Sequence, residues 1–249
     1  MKKLLFVDLD DTLFQSHAKR PVSDDFVPMA YLKDGNPISF ATPSQLSMLG
    51  MFQKEMAVIP VTARNMEAFS RVRINFSDGA VLNYGGVILQ ADGRVDDAWL
   101  ERSRQHSSTE LEALTFFQAF IEAESSRRNL DVKARIISDL ELPFYVVAKS
   151  PSYDTDAILD IAELCRHQCA GDFCSYRVHV NGNNIAVLPG WLDKGHAVKY
   201  LVEKLSKTED NLLTFGMGDS LIDLGFMGAC QYMIVPSSSQ IACNRLAAL

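Results

Sequence analysis

Long apolar runs are missing from this sequence of 249 residues. Met1-Lys2-Lys3 is followed only by the short run Leu4 to Val7, which Asp8 ends. A secretory segment needs roughly 7–15 apolar residues and a membrane span about 20. The expectation is a cytoplasmic chain with no membrane partner. Cysteine is scarce at 5 residues, too few and too oddly spaced for a disulfide scaffold. Cys165, Cys169 and Cys174 surround His167, but their spacing matches no zinc pattern, so small reduced core thiols are expected. Positive charge is also short, with 24 Lys and Arg against 31 Asp and Glu and a net charge of −7. Such a chain gains nothing from counterion release, which excludes nucleic acid as the expected partner. With 14 glycines and 9 prolines the chain is neither collagen-like nor of low complexity. It contains no GxxxxGK[ST] loop and no GxSxG elbow, which argues against NTP binding and serine hydrolysis.

What is present is an ordinary globular balance, 47% hydrophobic and 22% charged. That is enough for a main domain and a smaller second one. Lys3–Val7, Met56–Val61 and Asn211–Gly216 are short apolar runs of the kind that form buried parallel strands. Ala80–Leu82 and Tyr232–Val235 are weaker examples. Thr42-Pro43-Ser44-Gln45 predicts a helix start, with an N-cap threonine, Pro at the first position and Gln placed to close a capping box. Further helices are expected over Asn65–Arg73, Lys194–Leu205, Leu221–Met227 and Ser239–Ala248. Strands alternating with helices at both ends of the chain imply a doubly wound α/β domain.

The middle has a different pattern. A hairpin around Ala91-Asp92-Gly93 and a long helix near Thr109–Arg128 come first. Strands follow at Val132–Ser138 and Phe144–Lys149, then a helix at Asp154–Gln168. Two more strands, Tyr176–Val180 and Asn184–Leu188, join through the turn residues Asn181-Gly182-Asn183. The expectation is an α+β domain at 85–188 inserted into an α/β domain made of 1–84 and 189–249. A second, smaller insertion at about Phe26–Ala41 reads as a hairpin with Lys33-Asp34-Gly35-Asn36 at its tip. It hangs near the C-terminal end of the first strand, where open α/β sheets place ligands.

Residues with chemistry gather at these strand ends. Asp8-Leu9-Asp10-Asp11-Thr12 leaves the first strand, and Asp8 and Asp10 can share one pocket. Two carboxylates that close repel unless a cation lies between them, and oxygen-only ligation favours Mg²⁺. Thr62 follows the second strand and either binds an anionic oxygen or caps a helix. Lys194 opens a helix and is either a site cation or solvated surface. Gly216-Met-Gly-Asp219-Ser-Leu-Ile-Asp223 follows another strand, with Asp219 and Asp223 one helical turn apart.

In the order DxDxT, Thr, Lys, GDxxxD these elements resemble the haloacid dehalogenase superfamily of phosphatases. Within it the chain looks most like the subgroup with a large α/β cap between the second and third motifs, the Cof-type and sucrose-phosphatase-like members. The resemblance covers essentially the whole chain, and Asn83-Tyr-Gly-Gly and Asn184-Ile-Ala-Val-Leu-Pro are similar to that subgroup's cap borders. It implies that Asp8 is the nucleophile and Asp10 the general acid and base. It implies Mg²⁺ held by Asp8, Asp219 and the main-chain carbonyl of Asp10, with Asp223 orienting Lys194 or a metal-bound water. Thr62, Ala63, Arg64 and Lys194 would bind the phosphoryl group. The implied function is Mg²⁺-dependent hydrolysis of a small phosphorylated metabolite, favouring sugar phosphates, by a monomer or small homo-oligomer.

The chain departs from the subgroup at Ile222, where Asn usually precedes the last Asp of GDxxxD, and in the longer hairpin after the first motif. Arg20, Lys33, Arg177, His179 and Asn183 are candidate specificity residues. A sugar phosphomutase and a non-catalytic phosphate-binding module are the alternative functions.

Overall fold

The computed structural model describes residues 1–17 and 22–246; Arg20 lies outside the described residues. The chain divides into two compact units, Met1–Leu100 with Asp193–Leu249, and Glu101–Leu192.

The first unit is built on β1 (Lys2–Val7), which follows directly from its apolar run. β2 (Gln15–Ser16), β3 (Val27–Tyr31) and β4 (Pro37–Ala41) form a small antiparallel sheet in the order β2-β4-β3. The expected hairpin is therefore present and gains a third, very short strand. α1 (Pro43–Glu55) begins with the anticipated capping box: Gln45 N donates to Thr42 Oγ1 at 3.2 Å and Thr42 N to Gln45 Oε1 at 3.0 Å. β5 (Ala57–Pro60) and the one-turn α2 (Met66–Phe69) follow. Asn65 caps α2, but the helix stops at Phe69 instead of reaching Arg73, because the next residues turn to pair with the small sheet through Ala30 and Val72. β6 (Ala80–Leu82) and β7 (Val87–Leu89) form an antiparallel pair, and α3 (Asp97–Ser107) leads out of the unit.

The second unit contains α4 (Leu111–Arg127), β8 (Lys133–Asp139), β9 (Leu142–Lys149), α5 (Thr155–Ala170), β10 (Tyr176–Asn181) and β11 (Asn184–Pro189). The chain then returns to the first unit with α6 (Lys194–Leu205), β12 (Leu212–Met217), α7 (Leu224–Met227), β13 (Tyr232–Ile234) and α8 (Gln240–Leu246).

The main sheet has the order β13-β12-β1-β5 and is parallel throughout, with a further parallel bridge from Val61 to Val81. β1 is covered on both faces. Leu4 and Phe6 enter a core with Ile59, Trp99, Val198 and Phe226, while Leu5 and Val7 enter another with Phe14, Leu49, Phe52 and Val58. Burial on both sides explains why β1 is continuously apolar instead of alternating. β1 lies between its successor β5 and the much later β12. The order reverses there, and the crevice beyond the carboxyl ends of these strands is the ligand position in such sheets.

The second unit is an antiparallel sheet of order β10-β11-β9-β8. α4 and α5 cover one face, packing Leu114, Phe117, Ile121, Ile158, Ile161 and Cys165 onto Val146, Ile185 and Val187. Cys165 and Cys169 lie in this core and Cys174 is exposed, all as free thiols. Burial pushes the Cys165 thiol up to about 12, so it stays protonated and inert.

One expectation needs correction. The inserted unit spans 101–192, not 85–188. β7 pairs with β6, and Trp99 packs in the first unit with its indole N–H donating to the Gly85 carbonyl at 2.8 Å. At the other border, Arg177 Nη2 donates to the Leu192 carbonyl at 2.8 Å and keeps that segment with the second unit. The helix expected near Thr109–Arg128 is present as α4, and α3 is a further helix that ends before it at Ser107. Buried Ser107 donates to the Pro143 carbonyl at 2.6 Å, which anchors the break.

Candidate active site

Asp8, Thr62 and Asp219 lie just beyond the carboxyl ends of main-sheet strands and Lys194 opens α6, all within the first unit. Asp8 is the first residue beyond β1, and its amide still donates to the Met217 carbonyl of β12 at 2.9 Å. Asp8 is 6% exposed, Lys194 4% and Asp223 0%. Lys194 Nζ donates to Asp8 Oδ1 at 2.5 Å and to Asp223 Oδ1 at 2.7 Å. Residues 186 and 29 positions away in sequence thus converge on one ammonium. The ammonium also lies 5.6 Å from the Phe226 ring centroid and 6.0 Å from that of Tyr84. Ring faces at this range favour a cation.

Burial pulls the Lys194 ammonium down, but Asp223 and Asp8 outweigh it and hold it well above its ordinary range. Burial pushes the Asp8 carboxyl up, with Lys194 opposing it. A charge triad this deep in the protein persists only if each member is bonded. Asp223 meets that condition at both oxygens, since its Oδ2 accepts from Ser220 N at 3.1 Å and Ser220 Oγ at 2.5 Å. Asp223 is therefore committed to holding Lys194. Gly218 permits this: a Cβ there would lie 2.6 Å from the Asp223 Cβ.

Asp219 ends the same loop. Its Oδ1 accepts from Thr12 Oγ1 at 3.0 Å, which gives the threonine of DxDxT a structural role. Burial, with Asp223 and Asp11 nearby, raises the Asp219 carboxyl to about 6. Asp8, Asp219 and Asp223 each place a carboxylate oxygen within 4.8 Å of the others. A cleft of about 620 Å³ opens beside Asp11, Thr12 and Asp219. An all-oxygen donor set of mutually repelling, partly desolvated carboxylates fits a hard divalent cation. Because both oxygens of Asp223 are taken, Asp8 and Asp219 are the carboxylates positioned to hold one.

Asp10 points elsewhere. Arg64 Nε donates to Asp10 Oδ2 at 2.8 Å and Nη2 to Oδ1 at 2.7 Å, a bidentate pair. The guanidinium also lies 5.4 Å from the Phe14 ring centroid, and Nη1 donates to the Ala68 carbonyl at 3.4 Å. Arg64 thus fixes the carboxylate of Asp10, a partnership that the sequence reading did not anticipate. Thr62 is 1% exposed, and its Oγ1 accepts from the Arg64 amide at 3.1 Å.

The loop after Thr62 is braced by an unusual turn. Asn83, Tyr84 and Gly85 have successive left-handed φ values of 52°, 55° and 101°. The first two each carry a steric cost of about 1–2 kcal/mol. The turn lets Tyr84 N donate to the Thr62 carbonyl at 3.1 Å and Asn83 N to the Arg64 carbonyl at 2.9 Å. At Gly85 a Cβ would lie 2.4 Å from the Asp193 carbonyl oxygen, so only glycine lets the start of α6 come this close. Asp193 caps that helix through the Gly195 amide at 2.7 Å, which sets the position of Lys194.

Of the remaining candidates, Lys33 is exposed and paired with Glu67 at 3.1 Å, while Arg177, His179 and Asn183 belong to the second unit. No helix among the described residues is long and apolar enough to cross a membrane.

No family model matches the chain, and no curated protein does. Solved structures do. The structure of a haloacid dehalogenase-like hydrolase from B. subtilis matches with a TM-score of 0.55 and 15% identity, covering 99% of this chain and 93% of that one. Sucrose-phosphatase from Synechocystis sp. PCC6803, solved with sucrose and phosphate, matches at 0.53 and 16%, covering 99% and 97%. The C-terminal domain of C. albicans trehalose-6-phosphate phosphatase matches at 0.60 and 16%, covering 92% and 73%. The parallel sheet, the inserted α+β unit and these likenesses together show that the chain shares the fold of this haloacid dehalogenase-like hydrolase and these two sugar phosphatases.

Proposed function

We propose that the chain is a Mg²⁺-dependent phosphomonoester hydrolase acting on a small phosphorylated metabolite, a sugar phosphate in the first instance. The observation that carries this reading is buried Lys194 clamped between Asp8 and Asp223, with Asp219 in the same carboxylate cluster. The sugar phosphatases among the similar folds support the substrate class.

An Asp8 oxygen attacks phosphorus while the bond to the leaving alkoxide breaks, and the alkoxide takes its proton from Asp10. Water then attacks the phosphorus of the aspartyl-phosphate and gives its proton to Asp10, which restores the Asp8 carboxylate and releases orthophosphate. Mg²⁺ held by Asp8, Asp219 and the Asp10 carbonyl would neutralise charge on the phosphoryl oxygens. Lys194 contributes the same from the protein side, and Thr62 with the amide of Ala63 fixes the transferring group. Stabilisation of this kind is most of what a phosphoryl transfer needs from a protein. Arg64 pairs with both Asp10 oxygens in this structure, so the acid step requires one Asp10 oxygen to leave the guanidinium and take up a proton.

A hydrolysis screen over phosphorylated sugars, sugar acids and cofactors, with and without Mg²⁺, tests the reading. The expected result is Mg²⁺-dependent phosphate release that falls by at least about 10³-fold in Asp8→Asn. Turnover by Asp8→Asn at the parent rate would exclude the mechanism.

A further inference from the structure

The small sheet β2-β4-β3 lengthens the chain after the first motif, and both of its outer strands join loops of the active site. β2 begins directly after Phe14 and pairs Gln15 with Phe40 and Ser16 with Ser39. The turn before it is tight. Asp11 N donates to the Phe14 carbonyl at 2.7 Å and Phe14 N to the Leu9 carbonyl at 3.3 Å, so the place of Asp10 is tied to that of β2. At the opposite edge, β3 joins the segment that follows α2. Ala30 bridges Val72, Arg73 N donates to the Met29 carbonyl at 2.7 Å and Tyr31 N to the Arg71 carbonyl at 3.2 Å. Met29 and Ala30 are buried in the same core as Phe14.

Arg71 ties this edge to α2 itself. Its Nε donates to the Tyr31 carbonyl at 3.0 Å, and its Nη1 donates to the Glu67 carbonyl at 3.0 Å and to Glu67 Oε1 at 2.9 Å. One guanidinium thus spans a strand and a helix, on a side chain only 24% exposed. α2 needs such support. At four residues it is far below the length at which a helix persists alone, so its cap at Asn65 and contacts from outside must place it. What α2 places is Arg64, because Ala68 supplies the carbonyl that Arg64 Nη1 meets, while Phe14 supplies the neighbouring ring. The sheet therefore reaches Asp10 from two sides, through β2 on its own loop and through β3, Arg71 and α2 on the loop of Arg64.

We propose, on the hydrolase reading above, that the inserted sheet braces the Asp10 carboxylate for the acid step and that Arg71 is its positioning residue. As the bond to phosphorus breaks, the leaving oxygen keeps the electron pair and takes the proton from one Asp10 oxygen, which has left Arg64. A guanidinium fixed by Phe14 and Ala68 keeps hold of the other oxygen, so the carboxyl pivots in place although its side chain is 41% exposed. Misplacing a catalytic group by about 1 Å costs up to ~10²-fold in rate. The effect is selective: a poor leaving group needs the proton, whereas a nitrophenolate departs without it. The brace thus suits the enzyme to esters of alcohols, whose alkoxides are poor leaving groups.

The test is kcat/KM of the full-length chain with Mg²⁺ for phenyl phosphate and 4-nitrophenyl phosphate, two esters alike in shape and unlike in leaving group. This ratio stops at release of the phenol, before the hydrolysis of aspartyl-phosphate that both share. Arg71→Ala is expected to lose about 10-fold on phenyl phosphate and less than about 2-fold on 4-nitrophenyl phosphate. Arg71→Lys, which keeps the charge toward Glu67 but not the fork that also reaches Tyr31, recovers part of the loss. Arg94→Ala, at an exposed arginine paired with Asp92, leaves both rates unchanged. Thermal melts establish that each variant is folded, and if Arg71→Ala is not, Arg71→Lys carries the same comparison. Hydrogen exchange gives a readout without turnover: the amides of Ala68 and Phe69, both bonded to Asn65, are expected to exchange faster in Arg71→Ala. Equal losses on the two esters in an active parent, or unchanged exchange at those amides, would overturn this proposal alone. A parent that releases phosphate from no ester would overturn the hydrolase reading and the proposal with it.

Discussion

The two units handle charge in opposite ways. In the first, cation and anion are buried together: Lys194, Asp8 and Asp223 are each under 10% exposed and bonded to one another. In the second, the buried side chains are apolar or uncharged and cations are exposed on the antiparallel sheet. The physical reason lies in the sheets. A parallel sheet packed on both faces leaves only its strand ends for polar groups, so charges there are forced inward and must pair. An antiparallel sheet with a single helical layer can carry charged residues on its second face, as Lys133, Arg135, Lys149 and Arg177 do here beside buried Ile137 and Leu188.

The sharpest way to break the contrast is Lys194→Met. It leaves Asp8 and Asp223 buried without their cation, so a loss of about 3–5 kcal/mol in stability is expected along with activity. Chemical denaturation of parent and variant would check it. A loss below about 1 kcal/mol would mean that the triad is not held as a unit. The matching change in the second unit is Phe117→Ala, a fully buried ring among Phe173, Tyr176 and Phe116. The expected cost is about 3–4 kcal/mol, with no carboxylate or ammonium left unpaired and therefore no dependence on pH between 5 and 8. Melts across that range would show it.

A smaller effect is expected at Asp96, a charge inside the first unit but away from the active site. Its Oδ1 accepts from Trp99 N at 3.1 Å and Tyr200 Oη at 3.0 Å, and Lys204 Nζ donates to Oδ2 at 2.6 Å. Burial raises its carboxyl, but Lys204, the Trp99 amide and Tyr200 outweigh that and hold it below the usual carboxylate range. A depressed carboxyl contributes stability above its unfolded pKa near 4 and loses it as pH falls through the lower folded value. Asp96→Asn should therefore cost about 1–2 kcal/mol at pH 7, with the difference from the parent shrinking below about pH 4. Lys204 is 48% exposed, so the amide and hydroxyl bonds carry most of that effect. A difference that stayed constant down to pH 2 would contradict the assignment.

Much of this was legible in the sequence wherever the cause is local. The capping box at Thr42 and Gln45 depends on residues three apart, and the bounds of α6 follow from Asp193 and its helical run. The apolar strands followed by Asp8, Thr62 and Asp219 could be placed because burial on both faces leaves a continuous hydrophobic signature. Two features were not legible. Nothing in Asn83-Tyr84-Gly85 shows that three left-handed residues brace the Thr62 loop, since two of the three bear side chains that disfavour that conformation. Nor does Arg64 reveal that its Nε and Nη2 are committed to a carboxylate 54 positions earlier.

By itself, then, the sequence determined the doubly wound order of the outer segments, the α+β character of the middle and the residue types at the strand ends. Each depends on periodicity, capping or burial within a few residues. Only the tertiary structure decided how the charges are shared. It gave Asp223 to Lys194 and Ser220, Asp219 to Thr12 and Asp10 to Arg64, and it moved the borders of the inserted unit to 101 and 192. Those outcomes depend on which strand ends meet at the switch between β1 and β12, and desolvation there makes each buried charge take the partner that the fold brings within reach.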